Sequence, residues 1–206
     1  MINFKRVLAI GAHPDDVEFS CLGYLMKLKE NGSKITVYVA SNGSAGDPTS
    51  SVDRIDESRN ALHCIGAELV YRNQSGICIT DYEKISVELR ALILRTKPDL
   101  ILIHSQFDTH QEHKYLRDIV MTASRRVPCS IFSYKSVSVT VGYQENLYIN
   151  INKYIDKKIE YVRMHKSQRG HVYMSEESIR LFHVSWFAKM RANDYIESFY
   201  AEQIIG

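Results

Sequence analysis

The sequence lacks a long hydrophobic run, and neither sign of charge predominates in it. Its 206 residues include 26 lysines and arginines and 24 aspartates and glutamates, which give a net charge of +2. This balance does not favour nucleic acid or an anionic membrane surface as an obligatory partner. No apolar stretch approaches the ~20 residues that a membrane-spanning helix needs. We therefore expect a protein with no membrane span and no nucleic-acid ligand.

Cysteines are few, and they are not arranged in pairs. Cys21, Cys64, Cys78 and Cys129 form no Cys-x-x-Cys motif, and the segment before Gly11 has too few apolar residues for a secretory signal. In a chain without an export signal, reduced and buried thiols are expected rather than disulfides. The sequence therefore predicts a cytoplasmic protein.

The overall composition is that of a globular protein. Hydrophobic residues make up 45% of the chain and charged residues 24%, which excludes wholesale disorder and a fibrous protein. A chain of this length buries roughly 70% of its extended surface on folding. Because no repeat, low-complexity tract or linker divides the sequence, we expect one domain over residues 1–206.

Strand-like and helix-like segments alternate along the chain. Continuous or β-branched apolar runs predict strands at residues 6–11, 35–40, 67–71, 99–104, 130–134 and 147–151. Helical spacing of apolar residues predicts helices at residues 17–30, 53–65, 81–97, 110–126, 153–166 and 176–191. This alternation predicts a three-layer, Rossmann-like α/β domain with a mostly parallel sheet. We expect a small antiparallel addition in the C-terminal half, at residues 128–142.

Two of the predicted strands are followed by loops that are rich in metal-ligating side chains. The loop after the first strand contains His13, Asp15 and Asp16, with Glu18 close behind. The loop after the strand at 99–104 contains Asp108, His110, Glu112 and His113. Ligands bind at the carboxyl ends of strands in open α/β sheets, so these two loops are the predicted site.

The residue types in the two loops are those of a catalytic zinc site. Such a site needs three protein ligands and an open position for water. His13 and Asp16 are close enough on a tight turn to reach one metal, which leaves Asp15 between them as general base for a metal-activated water. Other interpretations remain open at this point. An Asp-Asp pair after a strand is also typical of a helix start, and the helical spacing of His113 is also typical of a core histidine. His104, at a strand end, is expected to be structural.

At these residues the sequence resembles a known family. The stretch Ala12-His13-Pro14-Asp15-Asp16-Val17-Glu18 resembles the AHPDD-x-E signature of the PIG-L/LmbE-like N-deacetylases. Further motifs of that family are matched in order by residues 41–47, Arg54-x-x-Glu57, Asp108-x-His110-Gln111-Glu112-His113, His165-x-Ser167-Gln168 and Tyr195-Ile196-Glu197-Ser198-Phe199. Six ordered matches make a chance resemblance implausible, and the first and fourth are the most specific.

The resemblance implies a zinc-dependent hydrolase that removes the N-acetyl group from an N-acetylated amino sugar or its conjugate. It implies one zinc ion per chain on His13, Asp16 and His113, with Asp15 as general base. It also implies that His110 stabilises the oxyanion as a cation or protonates the leaving amine. Arg54 is expected to contact the sugar hydroxyls and Tyr195 the acyl oxygen. Asp108 and Glu112 are expected to support the residues that bind the metal or act in catalysis.

This chain departs from the family pattern at two adjacent positions of the second loop. Gln111-Glu112 stands where the family usually has Pro-Asp. A glutamate reaches one methylene further than an aspartate, and we expect Glu112 still to orient His110. The expected partner is a small-molecule amino sugar. The resemblance is also compatible with a homo-oligomer, although no stretch of the sequence demonstrates an interface.

Two alternative functions remain open on the sequence. Clustered carboxylates and histidines also build two-metal phosphoesterase sites, for which Glu18 and Asp108 are the spare carboxylates. A non-catalytic sugar- or nucleotide-binding domain of Rossmann-like fold is the other alternative. The first loop lacks the G-x-G-x-x-G pattern that cradles phosphates, since Gly11 is followed by Ala12 and a bulky His-Pro pair.

Overall fold

The computed structural model describes residues 4–45, 53–184 and 194–205. The strands are β1 (Arg6–Gly11), β2 (Lys34–Val39), β3 (Glu68–Tyr71), β4 (Leu100–His104), β5 (Ser130–Tyr134), β6 (Leu147–Asn150) and β7 (Ile196–Gln203). The helices are α1 (Asp16–Glu30), α2 (Arg54–His63), α3 (Tyr82–Thr96), α4 (Gln111–Ser124), α5 (Ile155–Val162) and α6 (Glu176–His183). Short 3₁₀ turns cover Ile79–Asp81, Lys166–Gln168 and Val172–Met174.

The strands form one mixed sheet, which confirms the predicted α/β fold. Its order is β3-β2-β1-β4-β5-β7-β6, and neighbouring strands are parallel from β3 through β5. β7 runs antiparallel to both β5 and β6. The predicted antiparallel addition is therefore present, but its placement at residues 128–142 is wrong, because that region contributes β5, which pairs in parallel with β4.

β7 is a strand that the sequence pattern did not predict. It lies between β5 and β6, and its first four residues are all buried. Two of these, Glu197 and Ser198, are polar, so the segment has no alternation of apolar and polar residues. Glu197 is tolerated there because the fully buried Lys158 pairs with it at 2.5 Å.

The predicted helices are confirmed, with ends that differ by a few residues. α2 begins after Asp53, whose side chain accepts a hydrogen bond from the backbone N–H of Ile55 at 2.9 Å and so caps the helix. α5 is shorter than the predicted 153–166. The predicted last helix begins as expected at Glu176, and its residues 185–191 lie outside the described part of the chain. Residues 46–51 of the polar loop after β2 lie outside it as well.

Apolar side chains cover both faces of the sheet. Val7 and Ala9 of β1 face a core that includes residues of α1, α2, α5 and α6, whereas Leu8 and Ile10 face a second core with residues of α3 and α4. Successive strand residues point to opposite faces, so this alternation makes the sheet the middle of three layers. Over the described ranges, no helix is both long enough and apolar enough to cross a bilayer.

The strand order fixes where a ligand can bind. From β1 the chain moves outward through β2 to β3, then returns to the other side of β1 with β4. The order therefore reverses between β1 and β4, and the crevice at the carboxyl ends of these two strands is the expected binding position in such sheets. The two loops singled out in the sequence begin there.

Candidate metal and catalytic site

The loop between β1 and α1 is a tight turn that places three polar side chains together. The backbone N–H of His13 donates to Oδ2 of Asp16 at 2.8 Å, which closes the turn at the start of α1. Between them, Asp15 has a positive φ of 104°, a conformation that is uncommon for a residue other than glycine. Such strain at a polar residue in a loop is typical of functional sites.

The loop after β4 is organised by the buried carboxylate of Asp108. Its oxygens accept hydrogen bonds from Ser136 Oγ and Ser138 Oγ, both at 2.6 Å, and from the backbone N–H of His110 at 2.9 Å. Nδ1 of His113 lies 2.9 Å from Oδ2 of Asp108 and donates to it. Burial alone would raise the pKa of Asp108, but the bonds from His113 and the two serines hold that pKa well below its usual range. The carboxylate thus fixes the ring orientation of His113.

His13 is held in the same way by a second carboxylate, that of Glu112. Nε2 of His13 lies 3.1 Å from Oε2 of Glu112, which also accepts a hydrogen bond from the backbone N–H of Ile77 at 2.9 Å. We expected Glu112 to orient His110. In the described part of the chain, no hydrogen bond joins those two residues, because the longer glutamate side chain reaches across to His13.

The inner nitrogens of the two imidazoles converge on the carboxylate of Asp16. Nδ1 of His13 and Nε2 of His113 are 3.3 Å apart. Nδ1 of His13 lies 3.5 Å from Oδ2 of Asp16, and Nε2 of His113 lies 3.5 Å from Oδ1 of Asp16. Ligand atoms placed ~2.1 Å from a tetrahedral zinc ion lie roughly 3.4 Å apart. The two imidazole nitrogens therefore have the spacing of metal ligands, and each lies next to a different oxygen of Asp16.

The protonation of these groups also favours a cation at the centre. The outer nitrogens of His13 and His113 donate to Glu112 and Asp108, so in the neutral rings the inner nitrogens carry lone pairs. Burial lowers the pKa of His13, but its bonds to Asp16 and Glu112 outweigh burial and raise that pKa to about 10. The pKa of His113 is raised too, because Asp16 and Asp108 outweigh the effect of burial. Positive charge is thus stabilised at this point, which is also what a bound divalent ion requires of its surroundings.

In the described ranges, two groups of three side chains have ligand atoms that all lie within 4.8 Å of one another. His13, His110 and His113 form one, and Asp16, His104 and His113 form another. In the second group, Nε2 of His104 accepts a hydrogen bond from the backbone N–H of Ala12 at 3.0 Å, so its lone pair is used. Burial lowers the pKa of His104 to about 4, and its ring stacks on His113 with centroids 3.9 Å apart. His104 is therefore a buried, neutral residue that packs against His113.

A cavity of about 370 Å³ opens onto this cluster. Seven residues predicted for the site line it, namely His13, Asp15, Asp16, Arg54, His110, Glu112 and His113. His110 lies at the start of α4, with its ring centroid 4.9 Å from that of His13 and 4.4 Å from that of His113. The fold thus brings the two predicted loops together at one cavity.

Asp15 and Arg54 form a polar wall of the cavity beside the converging ligands. Nη2 of Arg54 donates to the backbone oxygen of Pro14 at 2.9 Å and lies 3.4 Å from Oδ2 of Asp15, while Nη1 donates to the backbone oxygen of Gly43 at 3.0 Å. Burial raises the pKa of Asp15 to about 7, with the negative charge of Asp16 adding to it and Arg54 opposing it. Asp15 is therefore a carboxyl group that exchanges its proton near neutral pH.

Tyr195 and Tyr173 differ from what the sequence indicated. Tyr195 is not among the residues that line the cavity. Its ring lies under the guanidinium of Arg180, 5.8 Å from the ring centroid, and its backbone N–H donates to Asn152 Oδ1 at 2.6 Å. Tyr173, which sequence reasoning missed, lines the cavity instead. It belongs to no motif, and only its position shortly after His165-x-Ser167-Gln168 could have drawn attention to it.

Two of the known proteins that this chain resembles are deacetylases by name. The chain is 27% identical to the uncharacterized deacetylase YaiS of Escherichia coli (strain K12), over 79% of this chain and 91% of the relative. The structure of N,N'-diacetylchitobiose deacetylase from Pyrococcus horikoshii superposes with a TM-score of 0.81 and 17% identity, covering 97% of this chain and 84% of that one.

A further similar structure has a different activity. GalB, the 4-carboxy-2-hydroxymuconate hydratase from Pseudomonas putida KT2440, superposes with a TM-score of 0.78 and 15% identity, covering 97% of both chains. At such identities the two structures show a common fold only. The sequence profile of PIG-L, the GlcNAc-PI de-N-acetylase family, matches residues 8–124. Because this match covers more than half of the chain and includes both ligand-bearing loops, the protein belongs to the PIG-L family.

Proposed function

We propose that the protein is a metal-dependent N-deacetylase that removes the acetyl group from an N-acetylated amino sugar or its conjugate. The observation that carries this proposal is the convergence of His13, Asp16 and His113 at 3.3–3.5 Å, next to Asp15 and Arg54 in one cavity. Membership of the PIG-L family and the likeness to a diacetylchitobiose deacetylase support the same class of reaction.

The metal in this proposal is one zinc ion per chain, held by His13, Asp16 and His113. Imidazole and carboxylate donors suit zinc, and three protein ligands leave a coordination position open, as in catalytic sites. A zinc ion there supplies Lewis acidity toward the acyl carbonyl and lowers the pKa of water. Glu112 and Asp108 keep the two imidazoles in the tautomers that ligate.

Asp15 is the general base of the proposed reaction. Its carboxylate lines the cavity next to Asp16, and the turn at φ 104° together with the guanidinium of Arg54 fixes its position. From there it takes a proton from the attacking water as the carbonyl carbon becomes tetrahedral. Asp15 or His110 then gives a proton to the nitrogen as the C–N bond breaks, which yields acetate and the free amine.

His110 and Arg54 act on the substrate from the cavity walls. The ring of His110 lies beside His13 and His113, and we assign to it a hydrogen bond to the oxyanion. Donors of this kind typically contribute ~10²–10³ in rate. Arg54 is anchored by two backbone oxygens, and Nη1 keeps one N–H beyond its bond to Gly43, which we assign to a sugar hydroxyl.

The phosphoesterase alternative is not supported by the two carboxylates that it would need. Glu18 is fully buried, and its Oε1 contacts Ser58 and His165 rather than the cavity. Asp108 is occupied by Ser136, Ser138 and His113. Neither Glu18 nor Asp108 lines the cavity, so neither of these two carboxylates is available to bridge a second metal there.

The experiment that tests the proposed function measures metal content and acetate release together. Purified protein, its chelated form and its zinc-restored form are incubated with free N-acetylglucosamine, diacetylchitobiose and a lipid-linked N-acetylglucosamine. We expect one zinc per chain, acetate release from at least one conjugate, loss of release on chelation and its return with zinc. Bound zinc without release from any conjugate contradicts the substrate class. Protein that binds no zinc contradicts the site.

A further inference from the structure

Tyr173 lines the cavity, but it belongs to no family motif and has no role in the proposed mechanism. It lies on the 3₁₀ turn Val172–Met174, beyond the residues that the family profile matches. It lines the same cavity as Asp15 and Arg54. Among the described residues, its hydroxyl has no hydrogen-bond partner. A phenol that faces a catalytic cavity without a protein partner is free to bind a ligand.

The ring of Tyr173 is held in place from two sides. Phe19 of α1 meets it edge-on, with centroids 5.7 Å apart at 88°, and His171 stacks on it at 5.3 Å and 17°. Phe19 lies one turn after Asp16 on the same helix. The aromatic packing therefore ties the position of the phenol to that of the proposed metal ligand.

The segment that leads to Tyr173 is anchored to the helices that carry the site. Nε2 of His165 lies 3.2 Å from Oε1 of Glu18 on α1, and both side chains are fully buried. Ser167 donates its backbone N–H and its hydroxyl to Glu57 of α2, at 2.9 and 2.6 Å. α1 begins at Asp16 and α2 at Arg54. The segment is therefore hydrogen-bonded to the first turn of each helix that carries one of these site residues.

The charge around the phenol keeps it a donor. Burial raises the pKa of Tyr173 to about 12, and the negative charges of Asp15 and Asp16 act in the same direction. The hydroxyl therefore keeps its proton at neutral pH and donates to oxygen acceptors. A sugar presents such acceptors on every hydroxyl and on its acyl carbonyl.

We propose that Tyr173 is a substrate-contacting residue whose hydroxyl donates a hydrogen bond to an oxygen of the amino sugar bound against Arg54. This inference rests on the proposed deacetylase function and adds a residue for sugar recognition to it. We assign the contact to a sugar hydroxyl rather than to the reacting carbonyl, because Tyr173 lines the cavity together with Arg54, the proposed sugar-binding residue. It therefore stabilises the ground state and the transition state alike, and it acts on KM more than on kcat.

The test compares Tyr173→Phe with wild type on the conjugate that wild type deacetylates. The phenylalanine ring keeps the packing against Phe19 and His171 and removes only the hydroxyl. Losing one hydrogen bond predicts a KM roughly 3- to 10-fold higher, with kcat within about twofold and zinc content unchanged. Tyr82→Phe is the control, because Tyr82 is exposed and its hydroxyl contacts Thr122, away from the cavity.

A second measurement separates this inference from the proposed function. NMR line broadening measures the binding of glucosamine, the amine product, without any turnover. We expect Tyr173→Phe to weaken this binding by the same factor as it raises KM. Unchanged KM and unchanged product binding overturn the role of Tyr173 while leaving the deacetylase intact. A parallel loss of kcat and zinc in Tyr173→Phe overturns it too, since that pattern indicates a purely structural residue. Wild type that releases no acetate refutes the proposed function instead, and product binding then still decides on Tyr173.

Discussion

Oε2 of Glu112 lies 3.1 Å from Nε2 of His13, and the same oxygen accepts a hydrogen bond from the backbone N–H of Ile77. This carboxylate sets the tautomer of His13 and turns Nδ1 toward Asp16 and His113. Partners of this kind, which orient a ligating histidine through its other nitrogen, usually matter for metal binding nearly as much as the ligands do. For the proposed metal site, we therefore expect Glu112 to act on metal affinity through its hydrogen bond to His13.

The first prediction is that Glu112→Ala weakens zinc binding about 10- to 100-fold. Without the carboxylate, the ring of His13 loses its orientation and the basicity that the hydrogen bond confers on Nδ1. Competition with a fluorescent zinc chelator measures the change. Gln111→Ala is the matched control, because the neighbouring Gln111 is exposed and its side chain donates a hydrogen bond to Tyr115 on the surface of α4. Unchanged zinc affinity with reduced turnover would show instead that Glu112 acts through His110.

The second prediction concerns Asp15. Asp15→Asn is expected to lower kcat by about 10²–10⁴ while zinc content stays at the wild-type level, because the amide cannot accept the proton from water. Asparagine tolerates positive φ as aspartate does, so the turn at φ 104° is retained. Zinc content and the rate of acetate release are measured on the same preparation. Normal turnover in this variant excludes Asp15 as the base.

The parts of the site that the sequence predicted are those that depend on local pattern. β1 and β4 are short apolar runs, and the side chains that follow each of them can be read directly. Because parallel strands end at one edge of the sheet, His13 and His113 could be expected to meet although they are 100 residues apart in sequence. The direction of the strands and the residue types in the two loops were sufficient for this prediction, although the order of the strands was not predicted.

The parts that the sequence did not predict depend on which side chain reaches which across the fold. Glu112 is next to His113 in sequence, yet it bonds to His13, 99 residues away, because of the length of its side chain. The prediction for Tyr195 rests on a motif. In the fold, Tyr195 lies just before β7, which pairs with β6, and its ring contacts the guanidinium of Arg180. Tyr173 reaches the cavity through buried contacts of His165 and Ser167 that no local pattern encodes.

The third prediction concerns the support of Arg54 by a glycine. Gly43 has a φ of +71°, and a Cβ added there would lie 2.7 Å from Nη1 of Arg54. Gly43→Ala therefore displaces the guanidinium, and we expect a higher KM for the sugar substrate with normal zinc content. Gly32→Ala controls for backbone strain, because Gly32 also has a positive φ, of 85°, but open space around it. Equal kinetic effects of the two substitutions would contradict the contact with Arg54.

The fourth prediction concerns the buried ion pair behind α1. Lys158 and Glu197 are both fully buried, and Glu197 also accepts hydrogen bonds from the backbone N–H groups of Gly23 and Tyr24, at 2.8 and 2.6 Å. These contacts link α5 to β7 through the ion pair, and β7 to α1 through the two backbone hydrogen bonds. Glu197→Gln leaves the ammonium of Lys158 buried without a counter-charge, and breaking such a pair costs about 3–5 kcal/mol of unfolding free energy.

Urea unfolding measures that change, and two further variants show its origin. Lys158→Met combined with Glu197→Gln removes both charges, and we expect it to recover most of the stability that the single variant loses, because replacing both partners leaves no uncompensated ion. Lys153→Met removes the partner of Glu30 in an ion pair whose side chains are 66% and 50% exposed, and solvent screening predicts no measurable change there. If the double variant is as unstable as Glu197→Gln, the loss arises from the bonds to Gly23 and Tyr24 and not from the unpaired lysine.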